Sequence, residues 1–315
     1  MITSGRFNAF RTASVMVMAA GALALAAGTA LAQTASGRAA RSPLAAPEAL
    51  VEGVQMPAWV ERGKETIPLA PGMALRDRDR VRTGDNARVL LRMAEGSAVK
   101  LGEQGSLLLD DLRMKRKENL FAASMNVAAG AFRFTTSALN SFRGRRAVEV
   151  KIATVTAGIR GTDLWGKAAA DRDIVCLIEG AIEVVRGAEA PFTMDQPRSF
   201  YIAPKGKPAL PVAPVTKEQL DQWSTETEIQ AERGAARRGG RWKVVLASVD
   251  TQQEALKIYD ALRAAGYAAQ IRPQDAAGKR TYDVRLSQLP SKAEAQALAD
   301  SLRGKMGVTE PKVSK

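Results

Sequence analysis

The chain has 315 residues, with 46 Lys and Arg against 33 Asp and Glu for a formal net charge of +13, no histidine and one cysteine. The lack of histidine excludes Ser-His-Asp and Cys-His catalysis and almost every common zinc site. One cysteine excludes an internal disulfide, and the basic excess speaks to polyanionic partners rather than to a fold.

Residues 1–32 read as a secretory signal peptide. Arg6 and Arg11 form a basic head without acids, an apolar stretch runs from Ala13 to Ala32, and it closes on Ala30-Leu31-Ala32 before Gln33. The alternative is an uncleaved inner-membrane anchor, which needs about 20 apolar residues. This stretch reaches that only if Gly21, Gly28 and Thr29 are counted, so the small-residue site favours cleavage. Either way the remainder is expected in the periplasm. There the polyanions are phospholipid headgroups, wall or lipopolysaccharide phosphates and peptidoglycan carboxylates, and nucleic acid is no expected partner. Residues 33–49 read as a flexible mature N-terminus.

Residues 50–203 read as an all-β module. Arg88–Met93, Ala98–Leu101 and Ser106–Leu109 are short apolar runs parted by the turns Ala94–Ser97 and Gly102–Gly105. The pattern resumes at Ala131–Phe134, Val148–Ile152, Ile174–Ile178 and Ile182–Val185, with Glu179-Gly180-Ala181 read as a tight hairpin. Cys176, inside one such run, reads as a small buried hydrophobe. Paired carboxylates are the one catalytic device left. Asp77, Asp79, Asp110 and Asp111 are flanked by charge and read as turns or solvated surface, so no catalytic constellation can be named and no enzyme is expected.

Three stretches of this module resemble the FecR-type periplasmic domain. They are Leu75 to Gly84 with Val81-Arg82-Thr83-Gly84, Met93 to Leu101 with Glu95-Gly96-Ser97, and Thr154 to Leu164 with Ile159-Arg160-Gly161-Thr162. Glu179-Gly180 is similar to the family's late hairpin. The founding members relay an outer-membrane signal to a membrane-bound sigma regulator, so the resemblance implies a β module that meets a protein or envelope ligand. The signal-peptide reading of residues 1–32 sets this chain apart from those members, which have cytoplasmic N-terminal helices. By physical reading, Arg160, Gly161 and Thr162 are structural: glycine admits a backbone angle or close approach that a Cβ would block, and arginine can tie strands through its donors.

Residues 204–240 read as a linker. Pro204, Pro208, Pro211 and Pro214 favour an extended spacer, followed by a polar helix over 216–238 that ends at Gly239-Gly240. Leu220, Trp223 and Ile229 are too few to bury a full face, which predicts a solvated arm and independently moving end modules.

Residues 241–315 read as a double β-α-β unit, the ferredoxin-like split arrangement. Trp242–Val249 is a strand; Thr251 caps a helix ending before Gly266; Tyr267–Arg272 and Thr281–Leu286 are strands; Ser291 caps a second helix; and Val308–Val313 closes the unit. The fold class is thus multidomain α+β. Trp242 to Val249, Glu254-Ala255, Gly266-Tyr267, Tyr282 to Leu286 and Ala293-Glu294-Ala295 resemble the SPOR, or sporulation-related repeat, domain, which binds peptidoglycan. In that family the bare sheet face grips glycan strands stripped of stem peptides, where cells divide. Here Val245 stands for the family's Gln, Ala247 for its Gly, Asp283 for its usual Arg and Ser287-Gln288-Leu289 for its Gly-Pro-Phe, while Ser248 is kept. Strand alternation turns Lys243, Val245, Ala247, Asp283 and Arg285 outward if Val244, Leu246, Val284 and Leu286 face the helices. The expected glycan-binding residues are Lys243, Val245, Ser248, Asp283 and Arg285. The expectation is a non-enzymatic periplasmic protein binding peptidoglycan glycan strands, with an envelope protein as further partner and no metal or cofactor. The alternative is an envelope regulator of FecR type with the SPOR domain as its anchor.

Overall fold

The computed structural model describes residues 47–136, 142–159, 161–276 and 278–315. The signal-peptide reading of 1–32, all but the last three residues of the 33–49 segment, and Arg160 lie outside these described residues.

Period-two alternation sorts the first module into two facing sheets. Along Arg88–Met93, Val89, Leu91 and Met93 are buried while Leu90 and Arg92 are not; along Leu120–Thr135, Phe121, Ala123, Met125 and Val127 alternate with less buried neighbours. One sheet runs, neighbour to neighbour, through Ala236–Arg237, Ala49–Gln55, Arg88–Met93, Ala98–Leu101, the second half of Leu120–Thr135, Asp163–Ala168, Arg172–Glu179, Ser199–Pro204 and Ala213–Pro214. The other runs through Glu65–Pro68, Ala58–Arg62, Arg80–Thr83, Ser106–Lys115, the first half of Leu120–Thr135, Arg145–Ile152, Val155–Ile159, Ile182–Arg186 and Phe192–Met194. The 16-residue strand Leu120–Thr135 belongs to both, so the sheets share one covalent seam. Phe121, Phe132 and Phe134 fill the space between them, each worth about 1.5–3 kcal/mol of burial.

The chain changes sheet at two adjoining corners. Val155–Ile159 lies in one sheet and Asp163–Ala168 in the other; Arg172–Glu179 and Ile182–Arg186 are divided the same way. Glu179-Gly180-Ala181 is therefore a corner and not the hairpin expected, because apolar alternation on both sides of a short joint does not reveal which sheet each strand joins. The corners pack on one another. Gly180 has φ +91°, and a Cβ there would stand 2.8 Å from the Gly161 carbonyl oxygen and 2.7 Å from Thr162 Cγ2. Gly161 itself has φ +74°, and the buried Thr162 accepts at its carbonyl from Thr136 N–H at 3.1 Å.

Residues 204–240 are not a free spacer. The first sheet turns an apolar patch outward, made by Ala131, Trp165, Ile174 and Cys176, and such a patch must be covered. Pro214 pairs with Ser199, Val215 is buried, and Thr216 caps the helix α1, Lys217–Thr225, by accepting from Gln219 N–H at 3.2 Å. Trp223 of α1 stacks flat on the fully buried Trp165, with centroids 4.8 Å apart, and meets Phe200 edge-on at 5.6 Å. The predicted helix over 216–238 stops at Thr225, and the rest runs on across the sheet as a strap of successive turns with one short strand, Ala236–Arg237.

The C-terminal module has strand order Gln270–Ala276, Lys279–Leu289, Trp242–Val249, Lys312–Ser314, each pair antiparallel. Helices α2, Gln252–Ala264, and α3, Lys292–Leu302, pack Ala255, Leu262, Ala295, Leu298 and Leu302 on Val244, Leu246, Val284 and Leu286. Thr251 and Ser291 cap them, each accepting from a backbone N–H three residues on. This is the ferredoxin-like order, with a final strand shorter than Val308–Val313 and shifted towards the C-terminus.

The modules are joined side to side. Ala58 N–H donates to the Gly266 carbonyl at 3.2 Å, and Met56 packs against both cores. Glu294, 8% exposed, reaches back from the first turn of α3 to accept from three strap N–H groups: Glu232 at 2.8 Å, Gly234 at 2.7 Å and Ala235 at 2.9 Å. Gly234, at φ +76°, brings the strap so close that a Cβ would lie 2.9 Å from Leu298 Cα. The independent motion expected of the two modules is opposed by these contacts.

Candidate functional site: the outward face of the C-terminal sheet

Both helices cover one face of the C-terminal sheet, and register shows what stands on the other. Val245 lies opposite Arg285 and Ala247 opposite Val284, so Leu246 is an extra residue in a bulge. The slip corrects simple alternation at one position. Ala247 is aligned with the fully buried Val284, and Ser248 comes opposite Asp283. Gln270, Arg285, Val245 and Lys312 then form one row across all four strands; Arg272, Asp283 and Ser248 form a second across three. At the usual strand spacing the first row is about 14 Å long. Lys243 pairs with Ser314 on the edge strand, and its Nζ donates to the Lys315 carbonyl at 2.9 Å.

The structure thus gathers Val245, Ser248, Asp283 and Arg285 at the middle of the sheet and sets Lys243 towards its edge. Arg272 and Lys312 complete the rows and were not singled out from the sequence; their outward strand positions, once Arg285 is placed, were the available signal. This module's ion pairs, Lys279–Asp250, Arg280–Asp275 and Arg303–Asp300, leave Arg272, Arg285 and Lys312 unpaired among the described residues. Arg285 Nε is buried without a hydrogen-bond partner.

The outward face of the sandwich sheet is the reverse case. Arg133 makes a two-pronged pair with Asp163 at 2.8 and 2.6 Å, and Asp163 holds its guanidinium above the usual range. Arg133 and Lys100 both meet Glu228 of the strap, and Lys167 meets Glu226 at 2.7 Å. Cys176 lies under the same cover, where burial pushes its thiol up to about 12. Among the described residues no group of three or more His, Cys, Asp or Glu is placed to hold a metal ion. Glu226, Glu228 and Glu294 were not foreseen as functional. Glu294 follows Ser291 by three residues, a capping-box signature, yet its carboxylate leaves the helix to hold the strap.

The fold is thus a two-sheet sandwich joined to a ferredoxin-like module whose sheet turns an open basic face outward. Comparison with known families agrees: residues 79–183 match the FecR protein family and residues 239–311 match the SPOR domain. The chain carries a FecR domain followed by a SPOR domain. Two solved structures described as "a putative anti-sigma factor from Parabacteroides distasonis" are similar to it. One is 11% identical, with 64% of this chain and 96% of the other covered at a TM-score of 0.37; the second is 13% identical, with 75% and 98% covered at 0.36. No curated protein matches. Both families are envelope-associated and non-catalytic; SPOR implies peptidoglycan binding and FecR implies envelope signalling. Among the described residues no helix is long and apolar enough to cross a membrane.

Proposed function

We propose that this is a periplasmic envelope protein that holds peptidoglycan glycan strands, free of stem peptides, on the outward face of its SPOR sheet. The observation that carries the reading is the open row Gln270–Arg285–Val245–Lys312, with two unpaired cations at intervals along it. A flat row suits a linear polymer met at several points. Hydrolysis of the amide that joins a stem peptide to the glycan leaves a carboxylate on the sugar, the group that Arg285 and Lys312 complement. Val245 offers an apolar floor for a sugar ring, and Ser248 and Asp283 offer hydrogen-bond partners for hydroxyls. Lys243 extends the positive field at the edge. The FecR domain serves as the body that meets a protein or envelope ligand, with Gly161 and Thr162 shaping its corner and Arg160 beside them in sequence.

The test is co-sedimentation of the chain from Gln33 onward with sacculi, before and after amidase treatment. Pelleting rises after stripping and falls at least tenfold in Arg285→Glu. Equal pelleting on both preparations would remove the specificity for bare glycan, and none on either would remove the glycan reading.

A second reading, an envelope regulator of FecR type anchored by its SPOR domain, is favoured by one observation: the carboxylate of Glu294 ties the SPOR domain to the strap that lies on the FecR domain. A deletion strain with an altered envelope regulon would favour it over a scaffold.

A further inference from the structure

The sandwich is strongly basic at the opposite end of strand Ala49–Gln55 from its contact with the SPOR domain. The SPOR domain meets the module beside Met56 and Ala58, just past one end of strand Ala49–Gln55. At the other end, about 20 Å along that strand, the chain enters the sandwich through Glu48, whose carboxylate accepts from Met114 N–H at 3.2 Å. Here the turn Arg116–Glu118 adjoins the start of Arg145–Ile152: Leu120 pairs with both Lys115 and Arg145, and Arg145 N–H donates to the Asn119 carbonyl at 2.8 Å. Arg113 is paired with Asp111, Lys115 with Glu118, and Arg146 faces the buried Glu95 while lying over the Phe142 ring at 5.0 Å. Arg116, Lys117, Arg143 and Arg145 remain, all exposed and without an ion pair among the described residues.

We propose that this end docks on the anionic phospholipid headgroups of a membrane surface. Long cationic side chains on a projecting turn form no pocket for a single small ligand, but they match a diffuse plane of negative charge. Each such residue near an anionic surface strengthens partitioning about fivefold, so four acting together reach a hundredfold or more. The placement also lets both ends work at once, with lipid at one and the SPOR domain at the other.

Flotation of the chain from Gln33 onward, which keeps the whole compact unit Ala45–Lys315, tests this on vesicles of equimolar phosphatidylglycerol and phosphatidylcholine against pure phosphatidylcholine. Binding is expected to the anionic vesicles only, and to vanish between about 0.05 and 0.5 M salt. The variant R116E/K117E/R143E/R145E is expected to bind at least about a hundredfold more weakly. The control K64E/K207E/K257E/K292E, with the same net charge but reversals elsewhere, should lose far less. Equal binding to neutral vesicles, or equal loss in the two variants, would overturn the proposal. So would retention on polyphosphate beads or an acidic protein with no vesicle binding. Should the fourfold variant not fold by circular dichroism, R116E/K117E on the exposed turn carries the same expectation at about tenfold or more.

Discussion

Two of the sheets, the sandwich sheet under the strap and the SPOR sheet, use the cations on their outward faces in opposite ways. On the sandwich, Lys100, Arg133 and Lys167 are all engaged, by Glu228, Asp163 and Glu226, and a helix covers the apolar remainder. On the SPOR sheet, Arg285 and Lys312 share one row and Arg272 stands in the next, none with an ion-pair partner among the described residues. Similar residues on similar pleated surfaces thus serve cohesion in one domain and availability in the other. The difference lies in what the rest of the chain supplies: the strap brings carboxylates to the first face and none to the second.

Removing the cover should have the largest effect. Trp165→Ala empties a fully buried site and abolishes the stacking with Trp223, so it should lower stability by about 3–5 kcal/mol, read from the urea midpoint. Arg133→Ala leaves Asp163 nearly buried and without its two-pronged partner, and should cost about 2–4 kcal/mol while leaving sacculus binding unchanged. Glu294→Ala strands three N–H donors and should cost about 1–3 kcal/mol. It should also open the strap to trypsin at Arg233, Arg237 and Arg238, measured as a faster rate of cleavage there. Arg285→Glu is the opposite of Arg133→Ala, with a melting temperature near that of the parent and sacculus binding at least tenfold weaker. If Arg133→Ala weakened binding as much as Arg285→Glu, the contrast between the faces would collapse. The mildest check is chemical. With its thiol pushed up to about 12 by burial, Cys176 should resist thiol reagents at pH 8 until the chain is unfolded.

Much of this organisation was legible in the residues. Alternation located part of the sandwich, such as Arg88–Met93 and Ala98–Leu101, but not Ala49–Gln55, Asp163–Ala168 or Ser199–Pro204; Thr251, Ser291 and the apolar spacing of two helices located the SPOR fold. What escaped detection depends on contacts distant in sequence. Four prolines in 204–214 suggested a detached spacer, because nothing local announces that Trp165 leaves a flat apolar surface for Trp223 to cover. Glu294 stands three residues after Ser291, where local sequence offers only a capping box, while its three partners lie some 60 positions away. Ala247 was placed outward because a one-residue bulge leaves no mark in a run of small and apolar residues. The same bulge brought Ser248 opposite Asp283, a pairing that strict alternation does not predict.

The most direct measurement is sedimentation of the chain from Gln33 onward on amidase-stripped sacculi beside Arg285→Glu and Arg133→Ala, with all three shown to be folded. Pelleting by the parent and Arg133→Ala, with loss in Arg285→Glu, is the predicted result. Equal pelleting of all three would contradict it, since the open row would then not be where the glycan is held.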